Sequence, residues 1–361
     1  MTEPESPVPV YNPVRLDREY LAGKALDLWQ ERNKKTRRNT SARQKADLLE
    51  DIGGAVSALE ESLATGSPAL LTDYVRWLVI HARGRHLPAD YVSSLLTVLT
   101  IVAGKELPPD HRAGASAVLR ESAGALAGTP DPVPSLIGNE NPRSSLAQSY
   151  LDALLRGDTE GAIAVIDQAA GSGVAVRDLY LDIILPVLRE TGRLWQVQEI
   201  TIAQEHYISA LTQTVIARLH DRIPAAGTEP GHRNRTLVAA SVGGEYHDIG
   251  IRIVADFFGM DGWSTYYTGA NTPTESLLSA IRDRKADAVA ISVTMTSHIP
   301  VAYHLIRSIR GDRRTAKVKI LIGGYPFGIV PLLWKQLGAD AGAADPDEAV
   351  AVMDRLAGKG A

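Results

Sequence analysis

Apolar residues recur at three- and four-residue intervals through most of the first 220 positions, with no convincing strand-like alternation. The clearest case runs from Pro68 to about Arg83, where Leu71, Tyr74, Leu78 and His81 share helical spacing with Trp77 beside them, and Gly84 closes the run. Leu87-Pro88 is expected to open the next helix, because proline in a first turn forfeits no hydrogen bond. Residues 16–128 therefore read as one all-helical domain, preceded by an acidic, proline-rich tail, 1–15, expected to be disordered. Pro130, Pro132, Pro134 and Pro142 mark 129–143 as a linker. Four short helical stretches follow in 144–222, jointed at Gly157-Asp158 and Gly171-Ser172-Gly173, with Asp158 a helix N-cap; they predict a four-helix bundle.

After a second linker, 223–235, the pattern changes. Strand-like runs (TLVAASV, WSTYYTG, DAVAISVT, KVKILIGG and a short one at 339–343) alternate with helical runs through 236–361. Five such units predict a flavodoxin-like, doubly wound parallel sheet. The expected fold class is α plus α/β: an all-helical N-terminal domain, a four-helix bundle and a C-terminal Rossmann-like domain.

Composition narrows the chemistry. The 361 residues are 45% hydrophobic and 22% charged, which excludes general disorder. A net charge of −4 argues against a surface that coats nucleic acid, and Arg32, Lys34, Lys35, Arg37 and Arg38 read as a solvated charge run. With no cysteine there is no disulfide, thiol nucleophile, zinc finger or cysteine-tethered chromophore. No secretory signal and no apolar run of about 18 residues is present, so a cytoplasmic protein away from the membrane is expected. No Gly-x-Ser-x-Gly, Walker-type loop or His-Glu-x-x-His occurs, and no enzymatic role is expected.

In open α/β sheets, ligands bind beyond the carboxyl ends of the strands. The first strand here ends in Gly243-Gly244-Glu245-Tyr246-His247-Asp248-Ile249-Gly250. A loop histidine with a carboxylate two residues earlier is arranged like a metal ligand whose tautomer the acid fixes, and Gly250 permits close approach. Taken alone, a loop histidine is more often structural, and Gly323-Gly324 is a turn. The order Glu245-x-His247-x-x-Gly250, Ser292-x-Thr294, Gly323-Gly324 changes that judgement. It closely resembles the cobalamin-binding signature of the base-off corrinoid proteins, and the stretch from Gly338-Ala339-Asp340 to Asp345-Pro346 looks like the end of that domain. The resemblance implies that His247 is the lower ligand to cobalt, and that Ser292, Thr294, Gly323 and Gly324 line the slot for the nucleotide tail. Tyr246, Asp248, Ile249, Val293 and Asp345 complete the expected cofactor-binding set. Glu245 stands where the family usually has aspartate.

A helical bundle before a corrinoid domain normally covers the upper face of the cofactor, both in methyl carriers and in light sensors. Trp195, followed after nine residues by Glu205-His206, resembles the adenosylcobalamin photoreceptors, in which these positions pack on the adenosyl group. Gln196 stands where some members have a histidine that captures cobalt after photolysis. The helical N-terminal domain resembles that of the photocobilins, which add a bilin-binding domain to this unit. No bilin motif can be carried over residue by residue. Tyr74, Trp77, His81, Arg83, Arg85 and His86 nevertheless offer aromatic walls, a polar group and cations for the propionates of a noncovalent biliverdin. The expected function is thus a photoreceptor that binds adenosylcobalamin and biliverdin and signals through light-dependent homo-oligomerisation, with a separate downstream signalling protein as a further partner. The alternative is a corrinoid methyl carrier of a methyltransferase system. A DNA-binding regulator is disfavoured by the acidic charge and by the lack of a recognition-helix pattern.

Overall fold

The computed structural model describes residues 10–33, 41–138, 140–223 and 235–357. Lys34, Lys35, Arg37 and Arg38 of the basic run, and most of the second linker, lie outside the described residues. The N-terminal helices are α1 (Arg18–Arg32), α2 (Ala42–Thr65), α3 (Ala69–Gly84), α4 (Tyr91–Glu106) and α5 (Pro109–Gly124). Asp17 caps α1, and Ser41 with Gln44 forms a reciprocal capping box on α2. On α3 the fully buried stripe is Leu71, Val75, Leu78 and Ala82, while Tyr74, Trp77 and His81 form a half-buried stripe beside it. Tyr74 fits against Gly54, where any side chain would meet its hydroxyl, and donates to the Asp51 carbonyl at 3.0 Å. The helix expected to open at Leu87-Pro88 begins instead at Tyr91, after a turn closed by Tyr91 N–H donating to the Pro88 carbonyl.

Residues 1–9 of the tail expected to be disordered lie outside the described residues, and 10–15 are held against the fold. Tyr11 is 2% exposed, and Val14 and Leu16 are also buried. These three apolar positions among prolines and polar residues hold the irregular segment down. The Tyr11 hydroxyl donates to Glu61 at 2.9 Å, and its ring lies 4.9 Å from that of Tyr303.

The bundle comprises α6 (Ser144–Leu155), α7 (Thr159–Gly171), α8 (176–196) and α9 (Ile202–His220). Asp158 caps α7 by accepting from Gly161 N–H at 2.8 Å. Within α8, Tyr180–Ile184 widens into a π turn, with Leu185 N–H reaching back to the Tyr180 carbonyl. Pro186 accounts for the distortion, since it lacks an N–H to bond the carbonyl of Asp182. Asn141 supplies the missing donor through its side-chain amide at 2.6 Å.

Five strands, β1 (Thr236–Val242), β2 (Ser264–Thr272), β3 (Ala288–Ser292), β4 (Lys319–Gly323) and β5 (Ala341–Ala343), form one sheet in the order β2-β1-β3-β4-β5, the flavodoxin-like order. β1 runs parallel to both β2 and β3. The intervening helices are α10 (Ile249–Met260), α11 (Thr274–Asp283), α12 (Ile299–Gly311), the short α13 (Tyr325–Ile329) and α14 (Leu333–Leu337), and α15 (Pro346–Ala357). The fold class expected from the sequence is the one observed.

The described residues fall into two compact units whose limits cut across the boundaries read from the sequence. One joins the N-terminal helices, up to Asp131, to Val293–Ser308 and Ile322–Gly342; the other holds Pro132–Ser292, Ile309–Leu321 and the C-terminal segment from Ala343. In the first unit, α13 packs on α3, and the turn Thr296–His298 packs on α2.

Candidate functional site

β1 is buried along nearly its whole length, so the loop that follows it is fixed at its root. Gly244 takes a left-handed backbone (φ +85°), and the chain then turns to place Glu245 inside and His247 outside. The Glu245 side chain is 1% exposed and that of His247 is 62% exposed. Glu245 Oε1 accepts from the His247 backbone N–H at 3.1 Å and lies 2.5 Å from its Nδ1. With Nδ1 engaged, Nε2 is the nitrogen left for a metal. The hydrogen bond to Glu245 raises the pKa of His247 above the usual 6.5; burial opposes the rise, and the charges of Glu245, Glu205 and Asp248 add to it.

Residues that carry no motif complete the loop's support. The Ser241 hydroxyl, fully buried in β1, donates to the His247 carbonyl at 3.1 Å. Asn271 at the end of β2 accepts from Gly244 N–H at 2.7 Å and donates its own N–H to the Glu245 carbonyl at 2.8 Å. Tyr267 donates to Asp248 Oδ2 at 2.6 Å, and Gln213 of α9 donates to Asp248 Oδ1 at 3.2 Å. The only sequence signals for these were a lone hydroxyl in an apolar strand and an asparagine near a strand end.

The bundle is tied to α10 through Asp256, which is buried and accepts from the Tyr180 hydroxyl at 2.6 Å and lies 2.8 Å from His220 Nδ1. Trp195 is half-buried in the last turn of α8. Glu205 and His206 stand in the first turns of α9, with Glu205 holding the Ser209 hydroxyl at 2.8 Å and His206 exposed. The charge of Glu205 is among those that raise the His247 pKa.

The remaining expected residues divide. Gly250 has open space where a side chain would project, and Ile249 is half-buried at the start of α10. Tyr246 is 74% exposed. Ser292 ends β3 opposite Ser241 in the register of β1 and β3, and Thr294 is half-buried. Gly324 packs directly on the backbone after β3: at φ +117°, a side chain there would come within 1.9 Å of the Val293 carbonyl oxygen. Val293 is fully buried, and its N–H donates to the Gly323 carbonyl at 3.0 Å, so it supports the turn rather than presenting a group at the surface. Asp345 serves as a helix cap, accepting from Glu348 N–H at 2.8 Å.

Of the bilin candidates, Trp77 stacks on His81 with ring centroids 4.8 Å apart and on Tyr74 at 5.8 Å. The expected cations have internal work. Arg85 donates to buried Asp51 at 2.6 Å, which also accepts from Tyr91, and Arg83 donates to the Pro130 carbonyl at 3.0 Å. His86 is exposed, with a left-handed backbone that ends α3.

A single imidazole held by a buried carboxylate fits the lower ligand of a macrocycle that brings its own metal. Among the described residues, no group of three or more His, Asp or Glu could hold a bare metal ion, and no helix is long and apolar enough to cross a membrane. Two B12 binding domain families match the chain, one over residues 146–220 and one over 235–352. Dimethylamine corrinoid protein 3 of Methanosarcina mazei is 30% identical over 121 residues, covering 33% of this chain and 71% of that protein. The chain belongs to the corrinoid proteins. A corrinoid protein of Desulfitobacterium hafniense is 23% identical over 216 residues, 60% of this chain and 99% of its own length. The structure of the Methanosarcina barkeri monomethylamine corrinoid protein shares the fold, with a TM-score of 0.51 at 21% identity, covering 59% of this chain and 99% of that one. Helices α1–α5 of this corrinoid protein lie outside both matched B12 binding domains.

Proposed function

We propose that this corrinoid protein is a light sensor that binds adenosylcobalamin, with His247 as lower ligand and the bundle as cover. When bound, the cofactor supplies a cobalt–carbon bond that visible light breaks. His247 presents Nε2 while Glu245 holds its tautomer, and Gly250 leaves room above the start of α10. The observation that supports the adenosyl reading is half-buried Trp195 in the last turn of α8 with Glu205 and His206 in the first turns of α9, the Glu205 charge contributing to the raised His247 pKa. An aromatic wall with a carboxylate and an imidazole suits a large upper group bearing ribose hydroxyls. Loss of that group would remove a packing partner of the bundle and shift its equilibrium with self-association, which is the differential contact a switch requires. Helices α1–α5 provide the additional domain in which we place a noncovalent biliverdin, beside Tyr74, Trp77 and His81. The chain itself then performs no catalytic step, and its output is association with itself or with a signalling partner.

A second reading, a methyl carrier of a methyltransferase system, is the one the relatives favour, since those named above are dimethylamine and monomethylamine corrinoid proteins. Size-exclusion profiles of protein loaded with adenosylcobalamin or methylcobalamin, in darkness and after illumination, separate the two. The sensor reading expects a light-driven change of oligomeric state with the adenosyl form. Identical dark and light profiles, together with tighter retention of methylcobalamin, would sink it in favour of the carrier.

A further inference from the structure

The sequence places a linker between the N-terminal helices and the corrinoid-binding modules, yet α3 makes direct contact with the backbone just beyond Gly323-Gly324. The Tyr325 hydroxyl donates to Asp73 Oδ1 on α3 at 3.1 Å. Tyr325 follows Gly324 directly, and Phe327 N–H donates to the Gly324 carbonyl at 3.1 Å, so Gly324 and α13 form one closed turn. The Gly324 backbone has little freedom of its own, since Val293 O occupies the place of a side chain. On the α3 side, Asp73 lies one turn before Trp77, which stacks on His81 and Tyr74. A displacement at Gly324 therefore has a short path, through α13 and the Tyr325 hydroxyl, to the helix that carries the aromatic stripe.

We infer that the Asp73–Tyr325 hydrogen bond couples the Gly323-Gly324 slot to helix α3, so that seating a corrinoid's nucleotide tail in the slot stabilises the aromatic face of the N-terminal domain. Tyr325 is a positioning residue in this account, acting on α3 through Asp73. The coupling is reciprocal, so a ligand that orders the Tyr74, Trp77 and His81 face also tightens the slot. The inference rests on the corrinoid reading of Gly323-Gly324 and adds the direction in which its occupancy is felt.

Hydrogen exchange of the full chain, with and without adenosylcobalamin in darkness, tests it. In the unmodified protein, the cofactor is expected to slow exchange in peptides covering 322–330 and also 69–84. Tyr325→Phe and Asp73→Ala should each keep the protection at 322–330 and lose most of that at 69–84, and the double variant should lose no more than either single one. Matching exchange of the cofactor-free variants elsewhere in the chain serves as the folding check. Protection at 322–330 without protection at 69–84 in the unmodified protein overturns the coupling alone, as does full protection of 69–84 in the variants or additive losses in the double one. Bound cofactor that leaves 322–330 unprotected overturns the slot reading and the coupling with it.

Discussion

His247 Nδ1 and Glu245 Oε1 lie 2.5 Å apart, with the carboxylate buried and the imidazole largely in solvent. This pair gives the loop its chemical polarity: a fixed tautomer inside and a free nitrogen outside. His247→Ala should abolish the His-ligated cobalamin spectrum. Glu245→Ala should leave the histidine but weaken cobalamin binding by about 10–100-fold, the usual cost of losing a carboxylate that orients a ligating histidine. An absorbance titration checks both, and an unchanged spectrum in His247→Ala would remove the assignment.

The raised pKa of His247 predicts opposite pH slopes for the empty and loaded protein. Glu245 engages Nδ1, so the titrating proton and cobalt compete for Nε2. Histidine ligation should therefore be lost as pH falls through the raised value and be complete above it. In the empty protein, the contribution of the pair to stability is fully present below about 6.5 and fades as pH rises through the folded-state value. Exposure of the ring keeps that contribution small. Spectra of the loaded protein between pH 5 and 9 read the first effect, and thermal melts of the empty protein read the second.

Trp195→Ala should weaken adenosylcobalamin binding by about tenfold while changing methylcobalamin binding little, because in the proposed site only the larger group would reach the Trp195 ring. Equal losses for the two cofactors, measured by equilibrium titration in darkness, would favour the methyl-carrier reading.

The corrinoid signature was legible because its residues are fixed by backbone geometry at strand ends: Gly324 cannot carry a side chain, and His247 needs its acid two residues away. The braces were not legible. Ser241, Tyr267, Asn271 and Gln213 come from three elements and meet the loop only after the sheet and bundle form, and none has a distinctive spacing. The reach of the N-terminal helices was equally hidden, since Tyr11 meets Tyr303, and Asp73 meets Tyr325, across more than two hundred positions. Composition at 1–15 pointed to disorder, whereas burial of a few apolar side chains decides whether such a segment stays down.

Glu61 offers a stability test in the N-terminal domain. Burial pushes its pKa up to about 8, against the hydrogen bond from Tyr11, which lowers it. A carboxyl whose folded-state value exceeds its unfolded one costs stability as pH rises from about 4.5 through 8. The thermal midpoint should fall over that window in the unmodified protein and fall less in Glu61→Gln. Equal pH slopes in the two proteins would show that Glu61 does not control the effect.

Biliverdin added to the full chain should give red absorbance that is lost on a denaturing gel, because no cysteine is present to form a thioether. Trp77→Ala should reduce that absorbance, and no red band in the unmodified protein would remove the bilin from the account while leaving the corrinoid site intact.

In the proposed site, His247 binds cobalt in place of the cofactor's own base. Electron paramagnetic resonance of the protein loaded with paramagnetic cob(II)alamin reads the axial nitrogen directly. With histidine labelled by heavy nitrogen, the superhyperfine triplets of the unlabelled protein should become doublets, and His247→Ala should lose the histidine signal. Triplets that persist unchanged in the labelled protein would mean that the benzimidazole remains on cobalt and that His247 is not its ligand.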